Sequence, residues 1–226
     1  MFLAHLNSLQ SSIFSSLAIV SLLLTFVMLG SHWLRNYVYA FAVQSWLIAA
    51  LSASVGYFAG YHELYAIAVL TALFRGLVLP LLLMRIVDRL NVKREIHAVL
   101  QPSSSLVIGA FLVMFAFVIA NHMSQQTTSA AHVVVLALTI MLSMKFIGFL
   151  MLSVRDEAVS QILGLLVLEN GIFLGSQILV PGMPLLIEIV ILFDLLIVVA
   201  CFGMLVRFLV VHAGTTSSRQ LNRLVG

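Results

Sequence analysis

Apolar residues fill seven long runs along this chain, and short polar stretches separate them. The runs fall at 11–30, 37–60, 65–87, 104–121, 131–152, 159–180 and 185–210. Each can cross roughly 30 Å of hydrocarbon as a helix, which takes about 20 residues. The punctuation is sharp: "SHWLRN", "GYHEL", "DRLNVKREIHAVLQPS", "NHMSQQTTSA", "SVRDEAVS" and "VPGMP". A membrane β-barrel would show alternation over segments of about 10 residues instead. The pattern predicts an all-α, polytopic integral membrane protein with about seven transmembrane helices.

The basic residues then sort by side. Arg35, Arg85, Arg89, Lys93, Arg94, Arg155, Arg207, Arg219 and Arg223 all fall on one side of this arrangement. The other side receives none, and the remaining two, Arg75 and Lys145, lie inside runs. Cytoplasmic loops carry the excess of Lys and Arg, so the expectation is an N-terminus outside and a cytoplasmic C-terminus. The opening "MFLAHLNSLQSS" has no basic region, so the first run reads as a retained span rather than a cleaved signal. The loop 88–103 has two readings: a solvated topogenic loop, or a short interfacial helix with Arg89, Lys93 and Arg94 towards lipid phosphates. The tail "HAGTTSSRQLNRLVG" is polar and unsuited to folding alone.

Composition agrees with this picture. The chain is 62% hydrophobic and 8% charged, with a mean hydropathy of +1.17; a soluble domain carries roughly 25% charged residues. One cysteine, Cys201, leaves no intrachain disulfide and no cysteine-based metal or iron–sulfur site. The net charge of +3 follows from loops and tail, a topology signal rather than a nucleic-acid footprint. The seven histidines stand mostly near run ends, with no pair placed for a bis-histidine haem. A retinal protein would need a lysine in the last run, where this chain has Glu188 and Asp194. No cofactor is expected.

The candidate chemistry lies in five ionisable residues inside runs: Arg75, Lys145, Glu169, Glu188 and Asp194. Each costs about 2.5–3.5 kcal/mol at a helix centre on insertion scales, and such residues mark ion or proton pathways by default. The plainer reading is buried pairs that only hold helices together, and Glu188 can reach the outer interface. Gly164, Gly171 and Gly175 share one face, suited to close approach of another helix. Glu169 stands about 140° from Gly164 around the helix axis, so it points away from that seam. Asn170 beside it can bind a water or a carboxylate. In "LFRGLVLP", Pro80 removes an amide donor one turn beyond Arg75, which predicts an irregular helix beside the buried base.

At this point the residues resemble a known family. "QILGLLVLENGIFL" followed by "LLIEIVILFDLLIVV", with "TALFRGLVLPLLL" earlier and "HAGTTSSRQLNRL" in the tail, resembles the hydrogenase-4 component E family. Residues 131–226 carry the likeness best. The last three spans are in turn similar to the K subunit of complex I and the C subunit of Mrp-type antiporters. The resemblance implies two parts, a four-helix part over 1–121 and a K-like three-helix part over 122–226. By that likeness Glu169 takes the second-helix carboxylate role and Asp194 the third-helix role. Spans one to three further suggest a repeat of spans five to seven. Gln44 and Ser45 would then stand near the place of Glu169, and Arg75 near that of Asp194.

The resemblance implies an inner-membrane subunit of a respiratory complex of the group 4 hydrogenase or formate hydrogenlyase type. Its expected partners are antiporter-like membrane subunits, a soluble redox module and membrane lipid, with no nucleic acid. The chain itself would be non-catalytic. Protons or sodium would move, or their movement be coupled, through a relay of Glu169, Asp194, Lys145, Arg75 and Glu188. The two bases would set the proton affinity of the acids by proximity. Two other readings stand beside it: a purely structural subunit that holds antiporter-like subunits together, and an independent secondary transporter.

Overall fold

The computed structural model describes residues 8–89, 100–125, 132–156 and 158–179, with isolated helical positions at Phe193, Ala200 and Met204. Seven α-helical segments make up the described chain: α1 Ser8–Gly30, α2 Leu34–Ala59, α3 Glu63–Leu73, α4 Leu79–Arg89, α5 Pro102–Gln125, α6 His132–Val154 and α7 Ala158–Leu179. A π-helical turn, Phe74–Val78, joins α3 to α4. Segments Leu9–Gly30, Leu34–Phe58, Glu63–Arg85, Pro102–Ser124 and His132–Val154 are long and apolar enough to cross a membrane. The protein is therefore a helical membrane protein. Six of the expected runs coincide with these segments and α7. The seventh, at 185–210, lies outside the described residues apart from those three positions, as do most of the loop 88–103 and the tail.

Short connections force neighbouring helices antiparallel. Three residues separate α1 from α2, where Trp33 is extended (φ −105°, ψ 119°) and accepts the Tyr37 amide at 3.1 Å. Gly60 closes α2 at φ 73°, a left-handed conformation that glycine adopts without steric cost. The α2–α3 turn follows directly. The α1–α2 and α6–α7 hairpins pack side by side, α1 against α6 and α2 against α7, with α5 leaning on α1 and α6.

The tightest contact is the seam between α6 and α7. A methyl added to Gly171 would stand 2.7 Å from Met144 Cβ, and one on Gly175 would strike Met141. The glycine face read from the sequence is thus the α6-facing side of α7. Gly148 answers from α6: a methyl on it would stand 2.8 Å from the Leu168 amide nitrogen and 2.9 Å from the Gly164 carbonyl oxygen. Small residues at this spacing let backbones touch where lipid supplies no hydrophobic driving force between helices.

The two hairpins are pinned at one end by Arg155. The sequence groups it with the basic residues of one side, and its side chain is only 6% exposed. Its Nη2 donates to Leu29 O at 2.9 Å, with Met28 O and Ser31 O at 3.4 Å. The last carbonyls of a helix lack intrahelical donors, and a cation complements that end of the dipole. Gln161 holds the Arg155 carbonyl at 2.9 Å. This "Arg155 end" and the opposite "Gly60 end" define the two ends of the bundle.

Gly148→Ala is expected to destabilise by about 1–3 kcal/mol, because backbone rather than a movable side chain meets the new methyl. Gly30→Ala meets only Leu106 at an ordinary 3.5 Å and should stay within about 0.5 kcal/mol of the parent. Thermal unfolding in detergent compares the two.

Candidate functional site

The centre of the site is Arg75, fully buried at 0% exposure within the π-helical turn. The turn exists because Pro80 offers no amide hydrogen to the preceding turn. The Leu79 amide reaches back five residues to Phe74 O, and the widened turn buries Arg75 and Gly76 together. This is the irregularity that the sequence places beside the buried base. Gly76 lies close to Trp46: a methyl on it would stand 2.9 Å from the indole nitrogen, so the ring would have to shift.

A guanidinium stays charged under all ordinary conditions and presents a rigid fork of donors. Arg75 Nη1 donates to Asn170 Oδ1 at 3.0 Å. Arg75 Nη2 lies 3.9 Å from Glu169 Oε2, an ion pair longer than a hydrogen bond. Its Cζ sits 4.7 Å from the Phe173 ring centroid, where the negative ring face favours a cation. Three side chains of α7 thus hold one side chain of the π turn. Glu169 itself is not sealed, since 28% of its side chain is exposed.

Asn170 passes the network on. Its Nδ2 donates to Gln44 Oε1 at 3.0 Å and approaches Ser45 Oγ at 3.4 Å. Gln44 Nε2 donates in turn to Ser21 O and Thr25 Oγ1, both at 2.8 Å. Gln44, Ser45, Asn170, Ser21 and Thr25 are all buried. The cluster therefore ties α1, α2, the π turn and α7 together through polar atoms in a bundle otherwise lined by Ile48, Phe41, Leu166 and Leu174.

The five sequence candidates separate. Arg75 and Glu169 come together. Lys145 is half-buried on α6, and its backbone is level with Gly171. Among the described residues no carboxylate lies within 4 Å of it. Long side chains lean towards their own helix N-terminus, so Lys145 and Glu169, on antiparallel helices, lean opposite ways. Glu188 and Asp194 lie outside the described residues. Gln44 and Ser45, which the repeat assigns to the position equivalent to Glu169, contact its neighbour Asn170. Phe173, Ser21 and Thr25 were not among the candidates, for they carry no charge to mark them.

Among known proteins, the chain is 31% identical over 173 residues to the uncharacterized protein Rv0085 of Mycobacterium tuberculosis (strain ATCC 25618 / H37Rv). The match covers 76% of this chain and 77% of that relative. The chain belongs to the Rv0085 family. No family model matches it, and no solved structure matches it significantly. The name Rv0085 states no activity, so the chemistry of the cluster rests on its own geometry.

That geometry can hold a fixed positive charge beside a carboxylate that is open on one flank. Its amides can also relay hydrogen bonds across four helical segments. Asn170→Leu would strip an acceptor from Arg75 and a donor from Gln44 while keeping the volume close. Orphaning a buried charged group costs more than the roughly 1–3 kcal/mol of a neutral one. Unfolding in detergent should place this variant well below Glu169→Gln, which keeps a polar oxygen near Arg75.

Proposed function

We propose that the chain is a membrane-arm subunit of a redox-driven respiratory complex of the group 4 hydrogenase type. In this reading it is a hydrogenase-4 component E relative that carries protons or sodium, or couples their movement, through intramembrane carboxylates. The observation that carries the reading is the Arg75–Glu169 pair, 3.9 Å apart, with Arg75 also donating to the Asn170 amide oxygen. A buried arginine beside a part-exposed carboxylate is costly in a membrane, and such groups face cavities and transport paths. The resemblance of "LENGIFL" and the downstream "E-x5-D" to the K-like carboxylates supports the same residues. Asp194 is then the second station, with Lys145 and Glu188 at its margins. The chain has seven spans, an outside N-terminus and an inner-membrane location, supported by the one-sided distribution of nine basic residues among eleven.

Motion of charge would follow from occupancy. When a neighbouring subunit changes its charge, Glu169 gains or loses a proton or cation, and Arg75 alters its hold on Asn170. The partners are antiporter-like subunits in the membrane and a soluble redox module. The structural-subunit reading keeps the same contacts but assigns them only to assembly.

Glu169→Gln in the purified native complex separates these. Ion translocation should fall at least about tenfold, since each 1.36 kcal/mol of lost stabilisation is one decade of rate. The subunits should still co-purify in the parental ratio. Parental translocation in that variant sinks the proposal, and loss of assembly instead favours the structural role. Transport by the isolated chain in liposomes would favour the independent transporter.

A further inference from the structure

Buried polar side chains continue beyond the cluster towards the Gly60 end. Ser52 stands seven residues after Ser45 on α2, and Gln177 seven after Asn170 on α7. Thr71 stands four before Arg75 on α3. Each spacing returns to the same helix face. All of these side chains are buried, Ser52 and Thr71 at 0% and Gln177 at 2%. α2 and α7 both start at the Arg155 end and α3 starts at the Gly60 end. Ser52 and Gln177 therefore lie roughly 10 Å, and Thr71 roughly 6 Å, from the cluster towards the Gly60 end. Towards the Arg155 end the same interface is filled by Tyr37, Phe41, Leu79, Leu83, Leu166 and Val167. Of the polar side chains there, the Tyr37 hydroxyl is spent on Met151 Sδ at 3.3 Å, and the buried Ser160 stands in the first turn of α7.

The hydroxyls show why this half differs. Ser21, Thr25, Ser45 and Ser52 each donate to the carbonyl four residues earlier, the usual way a helix silences a buried hydroxyl. Thr71 does not. Its Oγ1 is buried and has no hydrogen-bond partner among the described residues. A buried polar atom left so is explained most economically by an ordered water, which needs two to four polar partners. Arg75 stands one turn from Thr71, and Ser52 and Gln177 lie at a similar depth on α2 and α7.

We infer that water binds at Thr71 and forms a hydrated half-path between α2, α3 and α7. It runs from the Arg75–Asn170 cluster towards the Gly60 end, and the apolar Arg155 half is closed. The inference holds whether or not the chain serves a respiratory complex, because it concerns solvent and not an ion or a partner. It gives the Arg75–Asn170 cluster access to one side of the membrane.

Two measurements on the full chain in detergent or vesicles test it. Thr71→Val keeps the shape and removes the hydroxyl. In a dry site that relieves an unpaired polar group and raises Tm. In a hydrated site it evicts a water and strands that water's other partners. The expected outcome is a fall in Tm of about 2–4 °C. In a Cys201→Ser background, Ser52→Cys should react with a small methanethiosulfonate at least about tenfold faster than Leu83→Cys, because only a hydrated thiol ionises to the reactive thiolate. A higher Tm for Thr71→Val overturns the inference. So does a Ser52→Cys thiol that reacts no faster than Leu83→Cys. Both results leave the Glu169→Gln translocation test untouched.

Discussion

A guanidinium that cannot shed its charge sits at the centre of this bundle, and the neighbouring helices are arranged to tolerate it. Burying an unpaired ion in hydrocarbon is prohibitive unless hydrogen bonds and an opposite charge replace its water. Arg75 receives both from α7, as Asn170 Oδ1 and Glu169 Oε2, and a ring face from Phe173. Asn170 can serve only if its own amide hydrogens are held, which Gln44 and Ser45 do from α2. Gln44 is held in turn by α1. Thus one charge on the third span fixes the rotation of α2 and α7 and the level of α1. Hydrocarbon packing alone is less selective, since Leu and lipid tails are equally apolar.

The seam between α6 and α7 supplies what that cluster needs in rigidity. Backbone contact at Gly148, Gly164 and Gly171 leaves little freedom for α7 to slide. Arg155 then stitches the α6–α7 turn to the open carbonyls of α1. The midplane network and this terminal staple lie at different depths on the same pair of hairpins, so each resists the rotation that would break the other.

Much of this was legible in residues whose cost is obvious. Charge in an apolar run marked Arg75 and Glu169, glycine spacing marked the α6-facing side of α7, and Pro80 marked the irregular turn. What stayed hidden depends on which faces meet. Periodicity gives the face of a helix but not its neighbour. Arg75 and Lys145 were therefore equal candidates for Glu169 until packing chose Arg75. Neutral amides and hydroxyls such as Gln44 and Thr25 carry little signal, although they complete the network. Arg155 has a second role that its place in the sequence does not show. A basic residue at a span end reads as a topology marker, and only the nearness of α1's last carbonyls reveals a cap.

The π-helical turn gives the third span a local tolerance of length. Five residues per hydrogen-bonded loop instead of four means one residue more than an α-helix needs between Leu73 and Leu79. Removing that residue would let the span close as a regular α-helix, because five residues of a π turn and four of an α turn cover nearly the same rotation and rise. Leu79 and Leu83, both buried, would keep their places, while the widened turn that buries Arg75 and Gly76 would narrow. The extra residue is therefore absorbed locally: it reshapes the backbone around one charged side chain and leaves the faces shown by the rest of the span as they were.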